Sequence, residues 1–212
     1  MEKNRGFVAI WNGIAHGAEA DFKAWHADEH MPERLAIPGF LSGERWGRAG
    51  ENGYFTLYTL ADVAIAGSRA YIDRLNAPTA WTRRVMGTFT DNARCVGGFV
   101  VDDAFGEASR IGVLRLDGSR TGFSTDATAS DLRQIPGVSG VRIGLADAQV
   151  SSLPSAERRG RQVTEPWGVV IAEIADDAEP APLIDALDRL AASHGPQGAD
   201  IMALELRRQT IV

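Results

Sequence analysis

The feature that most constrains this chain is an echo. Ile37-Pro38-Gly39-Phe40 recurs in the second half as Ile135-Pro136-Gly137-Val138. Each copy leads into a similar stretch, Ser42-Gly43-Glu44-Arg45 and Ser139-Gly140-Val141-Arg142, once one residue is gapped. A repeated turn before a repeated strand implies that the element order repeats too. In the first half, β-branched and aromatic content predicts strands over 6–14, 40–46, 53–60 and 92–102. Helices follow the first strand, from about residue 18, and the third, over 62–76 and again over 79–86 past Pro78. In the second half, strands are expected over 110–116, 138–145, 167–175 and 201–209. Helices are expected over 127–134 and 181–194, the latter with Leu183, Leu187 and Leu190 on one side.

Each half thus reads strand–helix–strand–strand–helix–strand, the ferredoxin-like order. The expected fold class is α+β, with two tandem ferredoxin-like repeats over 1–106 and 107–212. A four-stranded sheet with helices on one face leaves its other face bare. Packing the two antiparallel sheets against each other into an α+β barrel covers both within one chain.

Composition narrows the function classes. The formal net charge is -6, and the longest basic cluster is only Arg158-Arg159-Gly160-Arg161, so nucleic acid is not an expected partner. No run reaches the roughly 18 apolar residues of a membrane span. The single cysteine, Cys95, lies in an apolar run and reads as a buried, inert thiol. A cytoplasmic protein is expected.

The chemistry concentrates in Trp25-His26-Ala27-Asp28-Glu29-His30-Met31-Pro32, which holds two of the four histidines. On a helix, Phe22, Trp25, His26 and Glu29 share one face, and Ala20, Ala24 and Ala27 the opposite one. The aromatic face is expected to pack inward. Pro32 biases Met31 away from helical angles, so the helix is expected to stop near His30. His30 would then sit at a helix C-terminus, where the dipole favours a protonated imidazole.

Trp25 with Glu29-His30, then Pro32-Glu33-Arg34-Leu35, Ile37-Pro38-Gly39-Phe40 and Arg45-Trp46, resembles the first half of the dimeric α+β barrel superfamily, nearest its EthD-like branch. The motif spans about 25 residues, and the element order spans the whole chain. The resemblance implies small-molecule chemistry of a wide range: cofactor-free monooxygenases, lactone isomerases, polyketide cyclases and haem enzymes share the fold. Most such relatives are single-repeat homodimers. Here two repeats are fused and the second lacks the His–Glu motif, which implies one site per chain, enclosed by the first repeat alone. A homodimer of the fused chain stays open.

His30 is the expected proton shuttle, with Glu29 or His26 orienting it. Trp25, Asn12, Arg45, Trp46, Tyr54, Tyr58 and Trp81 are the expected substrate-binding residues. Trp11, Trp25, Trp46, Trp81, Tyr54 and Tyr58 all precede the second repeat. Alternation puts Tyr54 with Tyr58 on one face, and Phe40 with Trp46 on one face. Arg45 suits a carboxylate or a surface ion pair, and Asn12 needs a partner if buried. The polar stretch 147–166 reads as a lid or as an insertion. The leading expectation is a lyase or isomerase with no cofactor and no metal, acting on a small aromatic or carbonyl-bearing metabolite. Three alternatives compete with it. One is a non-catalytic small-ligand or stress-related binding protein, and another is a cofactor-free monooxygenase. The third is a zinc hydrolase built on His26-x-x-Glu29-His30, with Asp102 or Glu107 as third ligand.

Overall fold

The computed structural model describes residues 4–48, 50–106, 109–151, 153, 156–158, 160, 162–195 and 200–210. Eight strands appear in chain order: β1 (Gly6–Ile14), β2 (Phe40–Gly47), β3 (Gly53–Leu60), β4 (Phe89–Asp102), β5 (Arg110–Leu116), β6 (Val138–Ala146), β7 (Gly168–Ile174) and β8 (Asp200–Gln209). They close into one antiparallel barrel in the order β1-β3-β2-β8-β5-β7-β6-β4. Within it β4-β1-β3-β2 and β8-β5-β7-β6 are the same arrangement twice. The seams are β2 with β8 and β4 with β6.

Alternation on β1 explains how one strand serves two layers. Phe7, Ala9 and Trp11 point into the barrel, where Phe55, Phe99, Ile111 and Ile171 complete an apolar interior. Val8, Ile10 and Asn12 point outward, under the helices. Cys95 is buried in the barrel interior, and burial pushes its thiol up to about 12, so it stays protonated.

The Ile-Pro-Gly echo has a backbone cause. Gly39 and Gly137 have φ of 95° and 86°, the left-handed region that glycine enters without Cβ strain. A Cβ on Gly39 would also meet Ile65, and one on Gly137 would meet Ala178. Each glycine turns the chain into the second strand of its repeat.

Helices α1 (Glu19–Trp25), α2 (Met31–Leu35), α3 (Arg69–Asn76) and α4 (Ala80–Met86) cover the first half. Helices α5 (Thr125–Arg133) and α7 (Ala181–His194) cover the second, and the short α6 (Ala148–Ser151) follows β6. Among the described residues no helix is long and apolar enough to cross a membrane.

Two expectations are corrected here. The helix does not stop at His30: a π-helical turn, His26–His30, joins α1 to α2. The Met31 N–H reaches back to the His26 carbonyl, and Pro32 sits in the first turn of α2. A wider turn accommodates a residue that has no N–H to give and would otherwise crowd the preceding turn. His30 is therefore inside a continuous helix. Phe40 and Trp46 also lie on opposite faces. The β2–β3 register shifts between Phe40 and Ser42, and this irregularity at Leu41 changes the parity of the strand. Phe40 packs beneath the helices, whereas Trp46 points into the barrel.

Candidate active site

A cavity of about 80 Å³ lies between the outer face of the first-half sheet and its helices. That is several times the ~10–15 Å³ needed by one water. Ile10, Asn12, Thr56 and Tyr58 form its floor. The α1–π–α2 helix contributes Phe22, Trp25, His26, His30 and Arg34, and α3 contributes Tyr71. Its cover comes from the connection after β6, through Val150, Leu153, Glu157 and Val163. Met86, Phe89, Asn92, Glu157 and Val163 also border an open vestibule of about 760 Å³. The first half thus does not enclose the site alone. Its roof belongs to the stretch 147–166, whose Ser152, Pro154, Arg159 and Arg161 lie outside the described residues.

The roof is pinned electrostatically. Arg34 Nη2 donates to both carboxylate oxygens of Glu157, at 2.6 and 2.8 Å, and both side chains are buried. Burial alone lowers the Arg34 pKa, but Glu157 and the Tyr71 and Tyr58 phenols outweigh it, so Arg34 keeps its charge. Its Nη1 is buried with no hydrogen-bond partner.

A second chain of contacts fixes a tautomer. Glu205 on β8 accepts from Arg45 Nε at 3.1 Å, and Arg45 Nη1 lies 3.3 Å from His26 Nδ1. A guanidinium only donates, so His26 Nδ1 must accept, and its proton sits on Nε2. That nitrogen is 3.3 Å from Tyr58 Oη. The Tyr58 oxygen therefore receives a hydrogen bond from behind, and its own O–H is left to donate. Burial raises the Tyr58 pKa, so this proton is retained.

Both imidazoles are neutral near pH 7. Burial, then the positive charges of Arg45 and Arg34, holds His26 well below 6.5. Burial, then Arg34, does the same to His30. This reverses the expectation of a dipole-stabilised imidazolium, because the helix continues past His30 and a guanidinium stands nearby. The His30 ring packs 4.2 Å from the Trp25 ring, and its buried Nδ1 has no partner. The Nδ2 of buried Asn12 has none either. Asn12 sits where the β1–β4 register slips, beside Asp91, which has a φ of 53°. Such a bulge aims side chains off the regular pleat.

The structure therefore brings Asn12, Trp25, His26, His30 and Tyr58 to one cavity. Other sequence candidates lie elsewhere. Glu29 accepts from Thr79 at 2.6 Å and Thr82 at 3.0 Å, and Thr82 in turn accepts from Trp25 Nε1 at 3.1 Å. It braces Trp25 rather than orienting His30. Arg45 stands behind His26, Trp46 is in the barrel, and Tyr54 packs on Phe22. Trp81 donates to Asp21. Arg34, Arg94 and Glu157 were not singled out from the sequence. Arg34 lay within the quoted motif, but Glu157 is 123 residues from it and carries no local signal.

The zinc arrangement does not form. His26 has both nitrogens engaged, Arg45 and Arg34 repel a cation there, and Glu29 points to α4. Asp102 pairs with Arg5 and Arg142. Glu107 lies outside the described residues. Among the described residues no three His, Cys, Asp or Glu side chains cluster as metal ligands.

No protein-family profile matches the chain, and no curated protein matches it by sequence. Solved structures do match. One is an anthrone oxidase-like protein, with TM-score 0.58 and 11% identity over 99% of this chain and 94% of that one. Another, from Fusobacterium nucleatum and provisionally named a monooxygenase, has TM-score 0.56 and 9% identity over 99% and 96%. A third, provisionally named a chlorite dismutase, has TM-score 0.54 and 9% identity over 96% of both chains. These likenesses establish the fold alone: a ferredoxin-like α+β chain whose eight antiparallel strands close into one barrel. Among the described residues, the second-half space that corresponds to the cavity is filled by Leu114, Leu132, Val141, Leu183 and Leu187.

Proposed function

We propose that this chain is a cofactor-independent enzyme that moves a proton next to a carbonyl or phenol oxygen of a compact, partly aromatic metabolite. One observation carries the reading. The Glu205–Arg45–His26 chain fixes Tyr58 as a hydrogen-bond donor in the cavity that His30 lines, and His30 has an unpaired nitrogen. A substrate oxygen accepts from Tyr58 and from Asn12. His30 removes a proton from the adjacent carbon. An enolate or phenolate then develops opposite these preorganised donors, which is the arrangement that lowers such barriers most. Its negative charge also offsets the arginine field that, second to burial, keeps resting His30 neutral. Return of the proton to a different carbon gives an isomerase. Expulsion of a neighbouring group gives a lyase.

The decisive assay is solvent deuterium exchange at the acidic C–H of small aryl ketones and cyclic 1,3-diketones, followed by NMR without oxygen. Wild type is expected to accelerate exchange. His30→Gln should abolish the acceleration, and Tyr58→Phe should reduce it by about 100-fold. Ligand binding retained by His30→Gln, with no exchange by wild type either, would leave a binding protein.

A second reading shares the first step. The names of two similarly folded proteins, anthrone oxidase-like and monooxygenase, suggest that the carbanion meets dioxygen. A hydroperoxide then forms at that carbon and loses water to give a ketone. Substrate-dependent oxygen uptake, lost in His30→Gln, separates this reading from isomerisation.

A further inference from the structure

Among the described residues, the charged groups lining the cavity do not balance. They are Arg34, Arg94 and Glu157. Glu157 is taken by Arg34 Nη2, which leaves Arg34 Nη1 buried and unpartnered. Arg94, half-buried on β4, makes one long side-chain bond, from Nη2 to Tyr71 Oη at 3.4 Å. Among the described residues it has no carboxylate within ion-pair distance. The Arg34 guanidinium lies 5.7 Å from the centroid of the same Tyr71 ring. Two cations thus flank one phenol at one end of the hollow, and the one carboxylate among the described lining residues is paired with Arg34. Arg34 Nη1 has no hydrogen-bond partner and half-buried Arg94 has no carboxylate partner among the described residues, so an anion at this end would engage both.

We propose that the ligand carries a carboxylate, held by Arg94 and by Arg34 Nη1 at the Tyr71 end, while its carbonyl or phenol oxygen meets Tyr58 and Asn12. This rests on the reading of the cavity as a small-molecule site and names the substrate class: a hydroxyaryl or ketoaryl acid. The sheet sets the ligand's length. Arg94 pairs with Ile10, and Ile10 pairs with Thr56, one side-chain step from Tyr58 on β3. Their backbones are therefore two strand spacings apart, roughly 10 Å. Inward-reaching side chains leave a gap suited to one ring with a substituent at each end. A single unmatched positive charge fits a carboxylate better than a doubly charged phosphate, and the small volume favours the same choice.

The test is calorimetric titration of 3- and 4-hydroxybenzoate against the matching hydroxybenzamides, on wild type, Arg94→Gln and Arg94→Lys, with folding checked by near-ultraviolet circular dichroism. The acids are expected to bind wild type about tenfold or more tightly than the amides, with a preference that shrinks as salt is added. Arg94→Gln should shrink the preference by about fivefold or more, weakening the acids far more than the amides, and Arg94→Lys should keep more of it than Arg94→Gln does. Equal binding of acid and amide by wild type, or a preference undiminished in Arg94→Gln, overturns the carboxylate assignment and leaves the acid–base reading intact. Binding of neither acids nor amides overturns both.

Discussion

The two halves share a strand order and differ in what lies between sheet and helices. In the second half that space is solid: Leu114, Leu116, Leu132, Val170, Leu183 and Leu187 are buried against one another. In the first half it is hollow and polar. The pairing registers make the difference residue-specific. Counting from the first pair of each hairpin, Gly6 with Leu60 and Arg110 with Ile174, Asn12, Thr56 and Tyr58 correspond to Leu116, Val170 and Ala172. Aliphatic side chains at those positions interlock at the density of a protein interior, whereas amides and hydroxyls need partners that a closed core seldom supplies. The solid half is not idle. It lends Glu157 to the roof and Glu205 to the back of His26. One repeat holds the hollow and its imidazoles, and the other supplies the carboxylates that brace Arg34 and Arg45.

The sharpest way to break that division is at the roof. Glu157→Gln leaves Arg34 buried without its counter-charge and is expected to cost about 3–5 kcal/mol in urea unfolding. The pair Arg34→Met with Glu157→Leu should recover most of that loss, because it removes both charges together. An effect under 1 kcal/mol for Glu157→Gln would show that the second half does not anchor the roof.

Equal truncations in the two halves should cost unequal amounts. Leu187→Ala, in the solid half, is expected to lose about 3 kcal/mol through transfer and a new void. Leu75→Ala, on the cavity wall, should lose only about 1–2 kcal/mol, since one side of Leu75 already lacks packing partners. Matching losses in chemical unfolding would mean that the cavity is filled in solution.

The smallest effect per step is the acid response. His26 and His30 have folded pKa values held below 6.5, so below that pH the unfolded state binds more protons. Stability should then fall as the pH drops from about 6.5 toward the lowered folded values, by up to about 1.4 kcal/mol per pH unit for each histidine. Thermal unfolding across pH 4–7 reads this directly. His30→Gln should remove part of the slope, and an unchanged slope would contradict the burial of a neutral ring.

Much of this architecture was legible in the residues. The Ile-Pro-Gly echo marked two left-handed glycines, and the strand boundaries followed β-branched and aromatic content closely. The histidine motif and the concentration of rings pointed to the half whose sheet and helices line the hollow. Helix termination was misread because Pro32 forbids one hydrogen bond, and a π turn removes the need for it. Trp46 was misplaced because a single irregularity at Leu41 changes strand parity, and nothing in the local composition announces it.

By itself, the sequence determined the repeated order of elements, the side of the barrel that carries imidazoles and rings, and the inert character of Cys95. Those follow from propensity, alternation and turn chemistry, which act over a few residues. Tertiary structure alone decided that Arg34 meets Glu157, that Glu205 and Arg45 set the His26 tautomer, and that Tyr58 faces the hollow while Trp46 does not. Those pairings join residues 123 and 160 positions apart in the chain. Barrel closure creates them, and closure leaves no periodic trace in the segments it brings together.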